Sequence, residues 1–453
     1  MRRCFIILSL IAFLSPLSGA DKQPNIVLLL SDDQSWTDYG FMGHEQIDTP
    51  HLDKFSERSA VFRRGYVPTA LCRPSLMTLA TGLYTHQHMV SGNDPSPLLT
   101  DGKKGGPEYN ALRAKLISYV DRQPTIAHLL GDSGYLSHQS GKWWEGSYQR
   151  GGFTHGMTRG FPKPAGRHGD DGLEIGRKGM KPVFDFIDES VAKDEPFYIW
   201  YAPFLPHTPH TPPKELFDKY QKLVDSPFVA KYYAMCEWFD QTCGQLIDYV
   251  DEKGQTNDTL FVYLSDNGWI QSVDNGKYAP RSKQSPNEGG TRQPIMYSWP
   301  GVIEPGDRGE QLASSIDIVP TMLSAAGLEI PDYMPGMDLM ASLKSGEPSP
   351  RTEVLGEGFA HDVANVEKPE DSLLYRWIVK DQWKLLLTYD GEVNRYASSH
   401  PRDEMRPQLF DLLVDPSEDA NLASKNPEVV KELAKEISDW WPVTERKVLE
   451  TWE

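Results

Sequence analysis

The chain of 453 residues is poor in cysteine, with four in all. Cys4 lies in a leader-like segment at the N-terminus. Cys236 and Cys243 are seven residues apart in a predicted helix, which separates them by about 10 Å along the helix axis. A disulfide needs Cα atoms within about 7 Å of each other, so these two cannot pair. The shortage excludes a disulfide-stapled fold, predicts stability from an apolar core, and leaves Cys72 as the unpaired cysteine.

Basic charge and long apolar runs are also scarce. The chain has 46 basic and 64 acidic residues, a net charge of −18, which excludes the basic surface of a nucleic-acid-binding protein. Arg2 and Arg3 precede an apolar run at 5–14 and small residues at 18–20, a pattern typical of a signal peptide cleaved near Ala20. No later run reaches the roughly 20 apolar residues of a membrane-spanning helix. The sequence predicts an exported protein without a membrane span.

Buried strands alternate with helices along most of the chain. Continuous apolar runs at 25–30, 197–201 and 259–264 are typical of strands buried on both faces. Helix-like segments separate them, which predicts an α/β fold with a mostly parallel central sheet sandwiched by helices. Past about residue 345, paired strands and the amphipathic segment 427–440 predict a small α+β subdomain. We therefore expect a signal peptide at 1–20, a main domain at 21–345 and a C-terminal subdomain at 346–453.

Acidic clusters follow two of the predicted strands. Asp32 and Asp33 come directly after the first strand, and Asp266 and Asn267 follow the strand at 259–264. Because the carboxyl ends of parallel strands share one edge of a sheet, we expect the two clusters to meet. Carboxylate and amide oxygens suit Ca²⁺ or Mg²⁺ better than zinc. Either cluster alone is explained by a turn or a cap, but the two together predict a metal site.

Cys72 stands in the segment ALCRPSLMT at 70–78. We expect a helix with Pro74 at its first position and Gly82 at its end. The positive end of a helix stabilises an anion, so it lowers a thiol pKa or holds an oxyanion if the cysteine is modified. A buried structural cysteine beside a helix start is the commoner explanation of an isolated Cys-x-Pro segment, so the rest of the chain must decide.

These motifs together resemble the sulfatases of the alkaline-phosphatase superfamily. In that family, paired aspartates after the first strand, a Cys-x-Pro-Ser-Arg element and a later Asp-Asn-Gly build a divalent-metal site. This chain has the paired aspartates, CRPS at 72–75 and Asp-Asn-Gly at 266–268. Further family elements follow in order at 48–53, 141–143, 205–210, 283, 288–294, 317–321 and 409–422. The resemblance covers about residues 24–425 and makes 21–345 a sulfatase-like catalytic domain.

The resemblance implies a hydrolase of sulfuric esters, with sulfated carbohydrates as the expected substrates. In the family a maturation enzyme oxidises the cysteine to formylglycine, whose hydrated form attacks sulfur. Carried over, Cys72 would be both nucleophile and metal ligand. The sulfate and the leaving group would meet Lys142, His207 and Lys283, whose charges and proton suit such a transfer. The metal, expected to be Ca²⁺ with Mg²⁺ as the alternative, would bind Asp32, Asp33, Cys72, Asp266 and Asn267.

Two positions depart from the family pattern. Leu76 stands where the family has an arginine, four residues after Cys72 and on the same helix face. That arginine orients the modified cysteine and belongs to the motif that the maturation enzyme reads. Trp144 stands where the family has a histidine, the candidate base that releases sulfate. The chemical state of Cys72 is therefore open.

Three explanations of these departures compete. Arg73, or Arg167 and His168 in the loop 166–172, could supply the missing charge. Alternatively, Cys72 stays unmodified and the protein hydrolyses phosphate esters with its thiolate or a metal-bound water. In the third explanation the fold is a non-catalytic binder of sulfated glycans. The retained metal ligands and lysines favour a divergent hydrolase.

Two long loops, at 91–110 and 145–175, are expected to set substrate specificity. Aromatic side chains near them could stack on sugar rings or simply pack internally. The aromatic candidates are Trp143, Trp144, Tyr148 and Trp269, and further candidates for the cleft are His86 and His88.

Overall fold

The structure is a computed structural model that describes residues 23–161, 166–390 and 405–452. The predicted signal peptide lies outside the described residues. None of the described helices is long and apolar enough to cross a membrane. Cys72 is a buried free thiol, as the sequence predicts, and Cys236 and Cys243 are buried free thiols too, so the excluded disulfide between them is indeed absent.

The described strands form one large sheet and two smaller ones. The strands are β1 (Asn25–Ser31), β2 (Ala60–Tyr66), β3 (Asp94–Pro95), β4 (Leu136–Gly141), β5 (His155–Gly156), β6 (Phe197–Ala202), β7 (Thr259–Ser265), β8 (Arg292–Ser298), β9 (Gly306–Asp307), β10 (Leu312–Ser314), β11 (Glu353–Phe359), β12 (Asp362–Val363), β13 (Leu373–Lys380), β14 (Trp383–Thr388) and β15 (Gln408–Asp411). The central sheet has the order β10-β2-β8-β7-β1-β6-β4-β5, with β9 beside β2. Among these strands only β8 runs antiparallel to its neighbours. The predicted mostly parallel sheet is thus confirmed.

Helices cover both faces of this sheet. The described α-helices, including α12 of the C-terminal unit, are α1 (Pro50–Glu57), α2 (Cys72–Thr81), α3 (Thr85–His88), α4 (Pro107–Ile117), α5 (Ile126–Gly131), α6 (Lys181–Lys193), α7 (Lys214–Tyr220), α8 (Pro227–Glu252), α9 (Glu288–Thr291), α10 (Ile318–Ala325), α11 (Met340–Ser345) and α12 (Pro427–Trp440). Along β1, Leu28 and Leu30 pack into one apolar cluster, and Val27 and Leu29 pack into the other. Alternate side chains enter opposite cores, which is why the strand is apolar at every position.

The helix that carries Cys72 begins two residues earlier than expected. α2 starts at Cys72 itself, so Pro74 occupies the third helical position and not the first. Proline is tolerated there because the N–H groups of the first turn have no partner within the helix. Gly82 ends the helix with a φ of 69°, in the left-handed region that favours glycine. Cys72 therefore lies in the first turn, at the positive end of α2.

The chain past β10 ends in a small α+β unit. β11, β13, β14 and β15 form an antiparallel sheet in that order. From α12, Val430, Leu433 and Ile437 share an apolar cluster with Ile378 and Leu385 of the sheet. The predicted α+β architecture is present, and the boundary at residue 345 stays a prediction.

A buried lysine joins the small sheet to the segment before β8. Lys384 Nζ lies 2.9 Å from Glu288 Oε1 and 3.3 Å from Glu418 Oε1. Glu288 also accepts a hydrogen bond from Tyr66 Oη at 3.1 Å, and its N–H donates to Glu418 Oε2 at 2.8 Å. Because Glu288 lies five residues after Lys283, this network anchors the segment that carries a candidate site residue.

Removing this buried cation should destabilise the protein strongly. Lys384→Met removes the cation beside the buried Glu418 and leaves Glu288 with Arg292 alone, 3.5 Å away. We therefore expect the free energy of unfolding to fall by about 3–5 kcal/mol. Urea denaturation measures the difference. Lys380→Met is the matched control, because Lys380 pairs with Glu436 at the partly exposed end of β13 in the same sheet and should contribute no more than about 1 kcal/mol. Equal losses in the two variants would contradict a special role for Lys384.

Candidate active site

The site begins where β1 and β7 end side by side. The two strands pair in parallel register from Asn25 with Thr259 to Ser31 with Ser265. The acidic clusters that follow them therefore emerge at the same edge, as the sequence predicts. The N–H of Asp33 donates to Asp266 Oδ1 at 3.0 Å. These contacts bring together groups that are 233 residues apart in the chain.

Three buried oxygens in this cluster have no hydrogen-bond partner: Asp32 Oδ2, Asp266 Oδ2 and Asn267 Oδ1. Buried polar atoms are nearly always paired, so orphaned acceptors need an explanation. Asn267 Nδ2 donates to Asp33 Oδ1 at 2.8 Å, so the side-chain oxygen of Asn267 takes no part in this hydrogen bond. Burial raises the pKa values of Asp32 and Asp266, although Lys142 acts in the opposite direction. These oxygens are the hard ligands that fit Ca²⁺ or Mg²⁺.

Cys72 and His207 complete the cluster. One ligand atom from each of Asp32, Asp33, Cys72 and His207 lies within 4.8 Å of the others. His207 Nδ1 donates to the carbonyl of Thr208, and its Nε2 lies 3.3 Å from Asp33 Oδ2. Burial and the nearby Lys142 lower the pKa of His207 well below its usual range, whereas Asp33 acts in the opposite direction.

Two buried lysines compensate the carboxylates. Lys142 Nζ lies 2.6 Å from Asp32 Oδ1. Lys283 Nζ lies 2.6 Å from both oxygens of Asp33 and 3.1 Å from Cys72 Sγ. Both ammonium groups therefore stay charged within a buried site and face the position of the predicted nucleophile.

The thiol itself does not behave as the helix position suggests. Burial raises the pKa of Cys72, and the nearby Lys142 and Lys283 do not offset this effect. The expectation that the helix end lowers the thiol pKa is therefore wrong. Cys72 is only 1 % exposed, and the carboxylates of Asp33 and Asp266 lie close by, so both burial and these charges raise its pKa. An unmodified Cys72 thiol is thus hard to ionise, which makes it a poor nucleophile.

A cavity of about 480 Å³ opens onto these groups. Asp33, Cys72, Lys142, His207 and Lys283 all line it. The cavity wall also includes four of the candidates that the sequence places in or near the long loops: Trp144, Arg167, His168 and Trp269.

Other predicted residues lie elsewhere. Arg73 is 1 % exposed, and its Nε and Nη2 donate to the two oxygens of Glu145, each at 2.7 Å. It therefore cannot supply the missing charge, in contrast to Arg167, which lines the cavity. His168 also lines the cavity, but burial lowers its pKa to about 3, so it supplies no positive charge at neutral pH. Leu76 packs in the apolar core, so nothing polar takes the place of the family arginine at that position.

The two histidines of the 84–88 segment also turn away from the cavity. His86 Nδ1 lies 2.8 Å from Glu357 Oε2, and its ring stacks on Trp441 of the C-terminal unit. His88 is buried beside Thr78. Trp143 and Tyr148 pack in or against the apolar core.

Sequence reasoning missed several cavity residues. Asn93 and His361 lie together, with Asn93 Nδ2 3.3 Å from His361 Nε2. The short β3–β12 pair brings them to the cavity from positions 268 residues apart, and no motif marks either one. The turn after Trp269 contributes Lys277 and Tyr278.

Comparison with known proteins then places the chain. Residues 24–328 match the family model described as Sulfatase. The chain belongs to the sulfatase family. Sulfatases are hydrolases of sulfuric esters, which is the enzyme class that the sequence predicts. Residues 281–441 also match the model described as N-sulphoglucosamine sulphohydrolase, C-terminal.

Several proteins are similar over most of the chain. The canine N-acetylgalactosamine-6-sulfatase (Canis lupus familiaris) is 26 % identical over 73 % of this chain and 68 % of its own. Arylsulfatase A of Homo sapiens is 26 % identical over 91 % of this chain and 86 % of its own. The crystal structure of Ps i-CgsB superposes with a TM-score of 0.72, at 22 % identity, over 95 % of this chain and 96 % of that one.

The unpartnered oxygens make metal binding testable. We expect Ca²⁺ to raise the thermal unfolding midpoint of chelator-treated protein, because a ligand of the folded state adds about 2.7 kcal/mol at one hundred times its Kd. Asp266→Ala should remove most of this shift. Asp251→Asn, at a surface carboxylate paired with Arg58, should keep it. A midpoint that neither Ca²⁺ nor Mg²⁺ moves would rule the site out.

Proposed function

We propose that the protein is an exported, Ca²⁺-dependent sulfatase that hydrolyses sulfate esters of carbohydrates, with Cys72 converted to formylglycine. The observation that carries the proposal is that two buried lysines and Cys72 line one cavity, and that Lys142 and the backbone of Asp33 contact a cluster with three orphaned oxygens. Export rests on the leader-like segment 1–20.

The protein's own residues have distinct tasks in this proposal. Lys142 and Lys283 hold positive charge where the transferring sulfate must lie, and such preorganised charge is the largest contribution in many enzymes. A divalent cation, when bound, supplies further neutralisation of the sulfate oxygens. Because His207 Nδ1 is engaged by the Thr208 carbonyl, Nε2 is the atom that exchanges a proton with the ester oxygen.

Lys283 has a second task at the nucleophile. Its Nζ bridges Cys72 Sγ and Asp33, at 3.1 Å and 2.6 Å. Formylglycine supplies a hydrated aldehyde at this position, and Lys283 orients whatever oxygen stands in place of the sulfur. This contact provides a partner for the modified side chain although Leu76 replaces the family arginine.

Carbohydrate substrates are proposed from the relatives. The name of the canine relative assigns it a sulfated amino sugar. Ps i-CgsB has been solved in complex with k-i-k-neocarrahexaose. The open cavity of this chain has polar and aromatic walls suited to a sugar, including Trp269 and Tyr278.

The competing explanations depend on the state of Cys72. Conversion to formylglycine lowers the mass of the Cys72 peptide by about 18 Da relative to the thiol. We expect peptide mass spectrometry of protein from its native host to find this loss. A persistent thiol would contradict the proposed nucleophile. Hydrolysis of an aryl phosphate and not of an aryl sulfate would then support the phosphoester hydrolase, and glycan binding without turnover of either would support the binder.

Lys283 provides a direct test of the electrostatic mechanism. Lys283→Ala removes charge at both the nucleophile and the sulfate, so kcat/KM for an aryl sulfate should fall by about 10²- to 10³-fold. Lys231→Ala, at an exposed lysine of α8, is the matched control and should retain activity. Full turnover by Lys283→Ala would exclude this lysine from the mechanism.

A further inference from the structure

Trp144, the residue that departs from the family pattern, supports an arginine at the cavity wall. The guanidinium carbon of Arg167 lies 4.7 Å from the Trp144 ring centroid, and that of Arg73 lies 5.8 Å away. Glu145 neutralises Arg73 through two hydrogen bonds. The ring therefore separates a fully paired arginine in the interior from a second arginine that lines the cavity.

Arg167 pairs with Asp94, a carboxylate that also lies near a second arginine. Its Nε donates to Asp94 Oδ2 at 2.7 Å, and its Nη2 also contacts this oxygen. Arg113 Nε lies 3.5 Å from the other oxygen of Asp94, and Arg113 Nη2 donates to the Arg167 carbonyl. One carboxylate thus faces two arginines. The Arg113 side chain is 11 % exposed and the Arg167 side chain 41 %, so Arg167 is the one a ligand can reach.

The surroundings of Arg167 favour an anionic ligand. Among the described residues that line the cavity, Asp33 is the sole carboxylate, against Lys142, Lys283, Arg167 and Lys277. Lys142 and Lys283 are paired within the reactive site. Arg167 therefore adds positive charge to the cavity of a chain whose net charge is −18, and such local concentration of one sign attracts the opposite charge.

We propose that Arg167, supported by Trp144 and Asp94, forms an anion subsite that binds a second acidic group of the substrate, beside the sulfate that is hydrolysed. The group is a carboxylate, as in a uronic acid, or a second sulfate. Arginine suits both because its planar nitrogens match paired oxygens, and Nη1 faces away from the Asp94 contacts made by Nε and Nη2. The inference rests on the proposed function and narrows its substrates to glycans with at least two acidic groups.

Ligand affinity is measured in a catalytically inactive variant, so that the subsite is tested separately from catalysis. In a Cys72→Ala background, calorimetry compares a sulfated disaccharide that contains a uronate with its carboxyl-reduced counterpart, and a disulfated disaccharide with its monosulfated one. We expect the ligand with the second acidic group to bind at least about tenfold tighter in one of these pairs, as a charge-assisted hydrogen bond provides. The pair that shows the preference identifies the group.

Variants then test whether Arg167 and Trp144 cause this difference in affinity. Arg167→Ala should abolish it, Arg167→Lys should reduce it while keeping the charge, and Trp144→His should weaken it by removing the supporting ring. Arg159→Ala is the matched control, since Arg159 pairs with Asp171 at the surface of the same loop and does not line the cavity. Thermal unfolding midpoints confirm that each variant folds.

The subsite would be overturned by the lack of a preference in either ligand pair, or by a preference that persists in Arg167→Ala. An equal loss of affinity for both members of a pair would also overturn it, because that loss reflects general electrostatics. Turnover by the unsubstituted protein is measured separately. If it hydrolyses no sulfate ester while the Arg167-dependent preference stands, the proposed function fails and the subsite remains.

Discussion

Compensation of buried charge at the ends of β1 and β7 is the constraint on which the site depends. Asp32, Asp33 and Asp266 are nearly inaccessible to water, and two lysines face them, Lys142 and Lys283. With all three carboxylates ionised, as metal binding requires, the protein groups alone would carry one net negative charge and would oppose an incoming sulfate. A divalent cation would reverse that sign. In our proposal, metal binding and sulfate binding are coupled, and the lysines, although essential, are insufficient without the cation.

The surrounding fold serves to hold these charges in place. The parallel register of β1 and β7 places one acidic cluster beside the other. The first turn of α2 brings Cys72 against Lys283, and the buried network of Lys384, Glu288 and Glu418 anchors the segment that Lys283 belongs to. A lysine that must stay within 2.6 Å of Asp33 in a buried site needs such support, because its flexible side chain has many alternative rotamers.

Much of the fold and of the site could be predicted, because the deciding signals are either local patterns or motifs that follow one another in the family's order. Strand β1 is apolar at every position because both of its faces are buried, and that pattern is visible in the sequence. The start of α2 was misplaced by two residues, since proline is tolerated anywhere in the first turn. The predicted direction of the Cys72 pKa shift was wrong, because burial raises this pKa and the degree of burial depends on packing that the sequence does not show. Asn93 and His361 were missed because only the pairing of β3 with β12 joins them.

The two departures from the family differ physically. Leu76 packs into the apolar core, where an arginine would need a buried counterion that its apolar neighbours in the cluster do not provide. Trp144 instead lies between Arg73 and Arg167 and links the reactive site to the cavity wall. Restoring histidine at 144 alone would remove the support of Arg167 without rebuilding the Leu76 position. In our proposal the two exchanges have different consequences: Leu76 fills the apolar core, and Trp144 supports a positively charged side chain at the cavity wall.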